Sequence, residues 1–310
     1  MSEIINLKEF DVYKLKYYSQ YNFLRDLSQE SLFETILMSI EKDYNNKLIE
    51  LVDIYVNGVY HLFVIKKLDW DTKYFGFNNY RIELVLYKHT SVNLLRKAII
   101  KLLEKDLLVN SYVMVNVPSE DITLLQALGN TPFKLVETRL NYYLDGISNF
   151  ENERYKVRYA TVNDIPNLVS VAKKSRNIYD RIHADLSFTS EMADDYLGTF
   201  AEESVKGFAD FVLVPDVPDL KPFGFLACNN PVQVYEKRIA KLVLAAVDNS
   251  VERGWLYKLL VEVIYKLKSE GCDILTTITQ SANRPAIHIW ERAGFKLAFT
   301  THIFTVKLDD

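Results

Sequence analysis

Cysteine is nearly absent: the 310-residue chain carries two, Cys228 and Cys272. They form neither a Cys-x-x-Cys pair nor a metal-ligand spacing. Each reads as a small buried hydrophobe in a reducing compartment, and no metal is expected. An excess of one charge is missing too. With 37 basic and 41 acidic residues the net charge is −4. Lys and Arg are scattered, as in "KKLDWDTK", which gives neither nucleic acid nor an anionic membrane a basic footprint. No run approaches the roughly eighteen apolar residues of a membrane span. The N-terminal "MSEIINLKEFDVYKLKYYSQ" is broken by charge every few residues and does not read as a signal peptide. A soluble, cytoplasmic protein is expected.

Apolar material is ample: 49% of the residues, with 20 Tyr and 17 Phe. That fills two cores, in keeping with two domains of about 150 residues. Helical spacing of Phe23, Leu24, Leu27, Leu32, Phe33, Ile36 and Leu37 predicts a helix over 21–43. "LIELVDIYV" and "VYHLFVIKKL" flank Asn57-Gly58, a pair suited to the two positive φ angles of a type I′ hairpin turn. A helix over 92–107 and a buried strand, "SYVMVNV", come next. The polar stretch at 145–153 marks a boundary between an N-terminal α/β domain, 1–150, and a second domain, 151–310. Past it come a strand, a helix capped by Asn163 or Asp164 with Pro166 in its first turn, and a helix over 190–205. Two antiparallel strands, "GFADFVLVP" and "PFGFLACN", complete the series. The fold class is α/β, strictly α+β in arrangement. Segments 112–144 and 273–308 share one layout, with Phe133-Lys134-Leu135 echoed by Phe295-Lys296-Leu297. Either the first domain is a reduced copy of the second, or two strand–helix–strand units agree by chance.

Chemistry concentrates in the last third. A strand at 242–247 runs into a loop with Arg253 and Gly254. An amphipathic helix follows, with Leu256, Leu259, Leu260, Val263, Ile264 and Leu267 on its apolar stripe. Such a turn exposes backbone N–H groups at the positive end of the helix dipole, a site for a pyrophosphate or simply an ordinary helix start. After "DILTTIT" comes "SANRPAIHIWERAGF", with Asn283, Ala286, Trp290 and Gly294-Phe295.

At that spacing the chain resembles the GNAT superfamily of N-acyltransferases. Their pattern is a Gln/Arg-x-x-Gly-x-Gly/Ala loop, then Asn-x-x-Ala-x-x-x-Tyr-x-x-x-Gly-Phe. "LDWDTKYFGF" (68–77) and "SRNIYDRIHADLSFTSEMADDYLGTFAEESVKG" (175–207) are similar to the TDP-fucosamine acetyltransferase group within it. The resemblance implies a splayed mixed sheet opening a V for acyl-CoA, most simply acetyl-CoA. It further implies an amine acceptor on a nucleotide-linked 4-amino-4,6-dideoxy sugar, attacking directly in a ternary complex. A homodimer is compatible with it. By the same resemblance Leu244, Ala246, Val247, Arg253, Gly254, Trp255, Leu256, Tyr257 and Asn283 would contact acyl-CoA. The chain departs from the pattern at Val251 and Leu256, which stand in the loop's Gln/Arg and second-glycine places, and at Trp290, which stands where a Tyr commonly protonates the thiolate. An indole N–H is no acid at neutral pH, so Tyr257 or water is the alternative donor.

For the acceptor, "DRIHAD" offers His183 as a base, Asp185 as its orienting carboxylate and Arg181 for a diphosphate. A surface ion pair is an equal reading of these residues. Trp70, Asp71, Tyr74 and Phe75 suit sugar recognition, rings stacking on a pyranose and carboxylates accepting from hydroxyls. They also suit a strand end whose rings enter the core. Glu83 is read as solvent-facing in preference to a cleft base, and His288 as structural. Other readings are a GNAT acting on a peptide, lysine or polyamine, and a catalytically weak acyl-CoA-binding module.

Overall fold

Asn57 (φ 52°) and Gly58 (φ 81°) turn the chain between β1 (Ile49–Val56) and β2 (Val59–Lys67), which pair antiparallel with Val56 opposite Val59. Both angles are positive, as the type I′ turn requires. The structure, a computed structural model, describes residues 12–308. Of the charged N-terminal stretch, residues 1–11 lie outside the described residues. The chain divides into two compact units, 1–138 with 299–310, and 139–298. The polar stretch 145–153 thus lies within the second unit, and residues 299–308 of the last strand belong to the first.

In the first unit, α1 (Gln29–Asn45) precedes the hairpin. It starts eight residues later than the apolar spacing suggests, because Ser28 caps it by accepting from Ser31 N–H at 3.1 Å. Then come α2 (Asp69–Phe75), β3 (Asn78–Leu86), α3 (Val92–Leu103), β4 (Ser111–Pro118) and α4 (Ile122–Leu128). Strand β3 runs parallel to β4, from Asn78 opposite Ser111 to Ile82 opposite Val115. The other side of β4 takes residues 301–308 of the C-terminal strand, antiparallel. Alternation divides the faces: Phe63 and Ile65 pack with Leu95 and Ile99 of α3, while Leu62 and Val64 pack with Leu37 and Ile40 of α1.

The second unit opens with the end of β5 (Lys134–Leu144), then β6 (Val157–Tyr159), α5 (Ile165–Lys174), α6 (Arg181–Ala184) and α7 (Ser190–Glu203). It continues with β7 (Phe211–Pro215), β8 (Gly224–Val234), β9 (Lys237–Val247), α8 (Trp255–Ser269), β10 (Ile274–Gln280) and α9 (Arg284–Arg292). The chain ends in β11 (Lys296–Leu308), whose pairing with β4 is given above. The strand order in this unit is β5-β10-β9-β8-β7-β6. The capping residue is Thr161, not Asn163 or Asp164: a 3-10 turn over residues 162–164 leads into α5 and opens on a capping box. There Asp164 accepts from Thr161 N–H at 2.8 Å and is held by Arg158, while Asp164 makes no side-chain cap bond to α5 itself. Strand β7 begins at Phe211, four residues after the apolar run suggests, because residues 204–208 form a π-helical turn with Gly207 at φ 115°. Leu259, Leu260, Val263, Ile264 and Leu267 of α8 fill one face of the sheet. Leu168 and Ala172 of α5, with Ala201 of α7, fill the other.

Candidate functional site: an open V in the second unit

Strands β9 and β10 are parallel neighbours for only three rungs, from Ile239–Ile274 to Lys241–Thr276. The cause sits two residues on. Against β8, Leu244 lies opposite Ala227 and Leu242 opposite Cys228, so Val243 is an extra residue on β9. A bulge bends its strand and ends the ladder. From Leu242 to Val247, β9 keeps β8 on one side and has no rung to β10 on the other. Backbone N–H and C=O groups of that segment therefore line an opening that widens toward the strand ends. Leu244, Ala246 and Val247 all lie on it.

The loop after β9 delivers the second feature. Gly254, at φ 85° with nothing within 4 Å of where a Cβ would stand, is the N-cap of α8 and supplies no side-chain cap. A side chain there would be strained, since L residues rarely adopt that angle. The first N–H groups of this fifteen-residue helix are thus left to other acceptors, with Arg253 exposed beside them. Trp255 is buried, while Leu256 and Tyr257 are half-buried. Tyr257 Oη accepts from Asn152 Nδ2 at 2.8 Å, and Arg292 stacks over its ring at 4.5 Å.

Asn283 is the N-cap of α9, its Oδ1 accepting from Ala286 N–H at 3.3 Å. Trp290, on the same helix and in the same apolar cluster as Leu242 and Val247, is buried, and its Nε1 has no hydrogen-bond partner. Next to it on α9, Glu291 accepts from Tyr142 Oη at 3.1 Å; burial first, and then that carboxylate, push the phenol up to about 12. His288 is exposed.

A loop closes the mouth of the V. Ser175 Oγ donates to Val247 O, at the end of β9, at 2.9 Å, and Asn177 Nδ2 donates to Gln280 Oε1, at the end of β10, at 2.6 Å. The strap therefore joins the ends of β9 and β10 where no ladder rung does. An ionic cluster stands behind this strap: Asp194 accepts from Arg176 at 2.9 Å and meets His183 Nε2 at 3.1 Å, and His183 Nδ1 lies 2.6 Å from Asp180. Both nitrogens of His183 are therefore engaged, and its side chain is 4% exposed. Arg181 and Asp185 are buried, Asp185 accepting from Ser187 N–H at 2.9 Å. Ser175, Asn177 and Gln280 were not marked by sequence, because a polar residue in a loop or at a strand end carries no sign of its distant partner.

The aromatic run lies in the first unit. Residues 69–75 are helical, not a strand end, and Gly76 closes the helix at φ 77°. Trp70, 42% exposed, stacks on Tyr74 at 5.3 Å, Tyr74 meets Phe75 edge-on at 5.0 Å, and Phe75 stacks on Phe77. Asp71 is half-buried in the first turn of the helix. Glu83 is paired with Arg81 through Nε at 2.8 Å.

The same devices recur in the first unit, with a different outcome. Glu83 is an extra residue on β3, with Leu84 opposite Val64 and Ile82 opposite Ile65, and the β3–β4 ladder stops at Ile82–Val115. There the helix that follows is capped: Ser91 Oγ accepts from Leu94 N–H at 3.3 Å. Beyond the last rung, Tyr87 is buried and donates to buried Asp121, which Tyr18 also meets, at 2.7 Å. A polar cleft of about 350 Å³ near β6 and β7 includes Lys206 and Lys266, both already ion-paired to glutamates. Among the described residues no three His, Cys, Asp or Glu side chains gather as a metal site, and no helix is long and apolar enough to cross a membrane.

No family model and no curated relative matches the sequence. Solved structures do. A GCN5-related N-acetyltransferase from Sphaerobacter thermophilus superposes with a TM-score of 0.53 at 10% identity, over 96% of this chain and 92% of that one. Another from Kribbella flavida gives 0.51 at 11%, over 86% and 93%. A GNAT-family acetyltransferase from Colwellia psychrerythraea gives 0.50 at 14%, over 90% and 97%. At such identities the likeness is one of fold, and the chain has the fold of the GCN5-related N-acetyltransferases.

Proposed function

We propose that this protein transfers an acyl group from acyl-CoA, most simply acetyl-CoA, to a primary amine in a ternary complex. The observation that carries the reading is the pairing of two features on one loop. Strand β9 leaves its neighbour after Lys241, and seven residues past the strand's end α8 starts at an uncapped Gly254. The pantetheine arm would lie along the edge of 242–246 that makes no rung to β10, much as an added strand would, and the pyrophosphate would take the N–H groups at 254–257 with Arg253 beside it. The V of the first unit offers neither, since Ser91 caps its helix and Tyr87 with Asp121 occupies the position beyond the last rung. That contrast supports reading the first unit as a reduced copy of the same fold, and it supports one acyl-CoA per chain.

The amine nitrogen, entering as the free base, attacks the thioester carbonyl, the C–N bond forms, the C–S bond breaks and CoA leaves as thiolate, while the proton shed by the nitrogen passes to water or to the departing thiolate. A backbone N–H on the free edge near Leu244–Ala246 would stabilise the oxyanion. The thiolate is a good leaving group, its conjugate acid having a pKa of about 8.5. Trp290 cannot supply a proton. Its unpartnered buried N–H can donate a hydrogen bond to sulfur without giving the proton up. His183, held on both nitrogens by carboxylates, fits a supporting part for the strap better than that of a free base.

For the acceptor, the resemblance of 68–77 and 175–207 favours the amine of a nucleotide-linked amino-deoxy sugar. Release of CoA thiol from acetyl-CoA, followed with a TDP-amino sugar, a lysine peptide and spermidine in parallel, tests the whole reading. Turnover with the sugar supports it in full, and turnover only with peptide or polyamine corrects the acceptor. Tight CoA binding without turnover would leave a binding module.

A further inference from the structure

Past Lys241–Thr276 no ladder fixes the distance between β9 and β10. One short segment does so instead, through Ser175 on the Val247 carbonyl and Asn177 on Gln280. The Asn177 amide is oriented by a second bond: its Oδ1 accepts from Tyr179 N–H at 3.1 Å, so Nδ2 must be the atom that faces Gln280. That in turn presents Oε1 of Gln280 to the strap. The pair joining Lys174 to Asp248 at 3.3 Å is exposed on its lysine side and adds little. The bond from Asn177 to β10 is thus a neutral contact between two side chains.

We propose that Asn177 and Gln280 are a positioning pair, a latch that holds the strap across the mouth of the V and gates the passage of acyl-CoA. The proposal rests on reading the V as the acyl-CoA site. A single neutral hydrogen bond contributes little net, so the latch opens often enough for entry while keeping the strap closed most of the time. Neither amide has to touch bound CoA. That separates a latch from a contact residue. Loss of a contact speeds exit alone, whereas loss of a latch speeds entry and exit together and leaves the equilibrium nearly where it was.

Stopped-flow binding of CoA to the full chain reads this directly, using wild type, Asn177→Ala, Gln280→Ala and the double variant. Each single variant is expected to raise both rate constants about fivefold, the size of one ordinary hydrogen bond, with Kd within about twofold. The double variant should match the singles, since both remove the same bond. A rise in the dissociation rate alone, unchanged rates, or additive effects would overturn the latch. Amide hydrogen exchange over 175–180 tests it without any ligand: Gln280→Ala, 103 residues from Asn177 in sequence and in another element, should speed exchange there, and unchanged exchange counts against the proposal. Wild type that shows no saturable CoA binding, with exchange still responsive, removes the acyl-CoA reading and its gate but leaves the strap's tie to β10 standing.

Discussion

His183 Nε2 lies 3.1 Å from Asp194 Oδ1 while its Nδ1 lies 2.6 Å from Asp180 Oδ2, so one imidazole joins the start of α6 to α7. Asp194 also holds Arg176 in the strap. Two carboxylates hold the ring at both nitrogens. His183→Gln is therefore expected to lower kcat/KM less than about tenfold, with the shape of the pH–rate profile kept. Removal of a general base costs roughly 10²–10⁴, and a loss of that size in a thiol-release assay would restore His183 to the chemistry.

Gly254 sits at φ 85° in open space, so a substitution meets strain and not a clash. Gly254→Val should cost about 1–2 kcal/mol of stability, seen as a lower melting temperature. If the uncapped N–H groups hold the pyrophosphate, CoA affinity falls by about tenfold or more beyond any change in folding. Equal affinity in the folded variant would argue that α8 starts without a ligand.

Asp164 is drawn down to about 2, first by the Arg158 guanidinium and, against burial, by the Thr161 N–H and hydroxyl. Its folded value lies below the unfolded one, so its contribution is present above about pH 4 and is lost as pH falls toward 2. Arg158 is 38% exposed, and solvent screening trims the effect to about 1–2 kcal/mol. Asp164→Asn should remove that amount at pH 7 and flatten this part of the stability curve, measured by urea unfolding across pH.

His61 and His89 meet through Nε2 atoms at 2.8 Å, and Ser91 N–H donates to His89 Nδ1 at 3.1 Å. His89 must then carry its proton on Nε2 and donate it to His61. Burial lowers both, aided by each ring's neighbour, His89 for His61 and Lys14 for His89. With folded values below the unfolded ~6.5, the fold binds fewer protons than the open chain. The stability this pair contributes is present above pH 6.5 and falls as the pH drops below it. Melting temperatures between pH 7.5 and 5 should show that slope in wild type, and His89→Gln should reduce it.

Local chemistry made some of this structure legible in sequence. Asn57-Gly58 names its own turn, and the stripe from Leu259 to Leu267 names its helix, because both signals are complete within a few residues. The cassette from β9 to α9 was legible for the same reason. The bulges at Val243 and Glu83 were not, since the residues there are ordinary strand residues and the extra count exists only against a partner. Nor was the placing of 301–308 beside β4, which needs a pairing almost two hundred residues apart. The aromatic run 69–77 misled because its spacing serves a short helix as well as a strand end. His183 illustrates the limit for a site: its neighbours in sequence suggested Asp185, whereas its bonds go to Asp180 and Asp194.

Calorimetric titration of CoA into wild type and Arg253→Glu tests most directly whether the V of the second unit takes acyl-CoA. One saturable site per chain is expected, weakened about tenfold or more by the charge reversal beside the α8 N-terminus. No binding, two equivalent sites, or an affinity indifferent to Arg253→Glu would contradict the account.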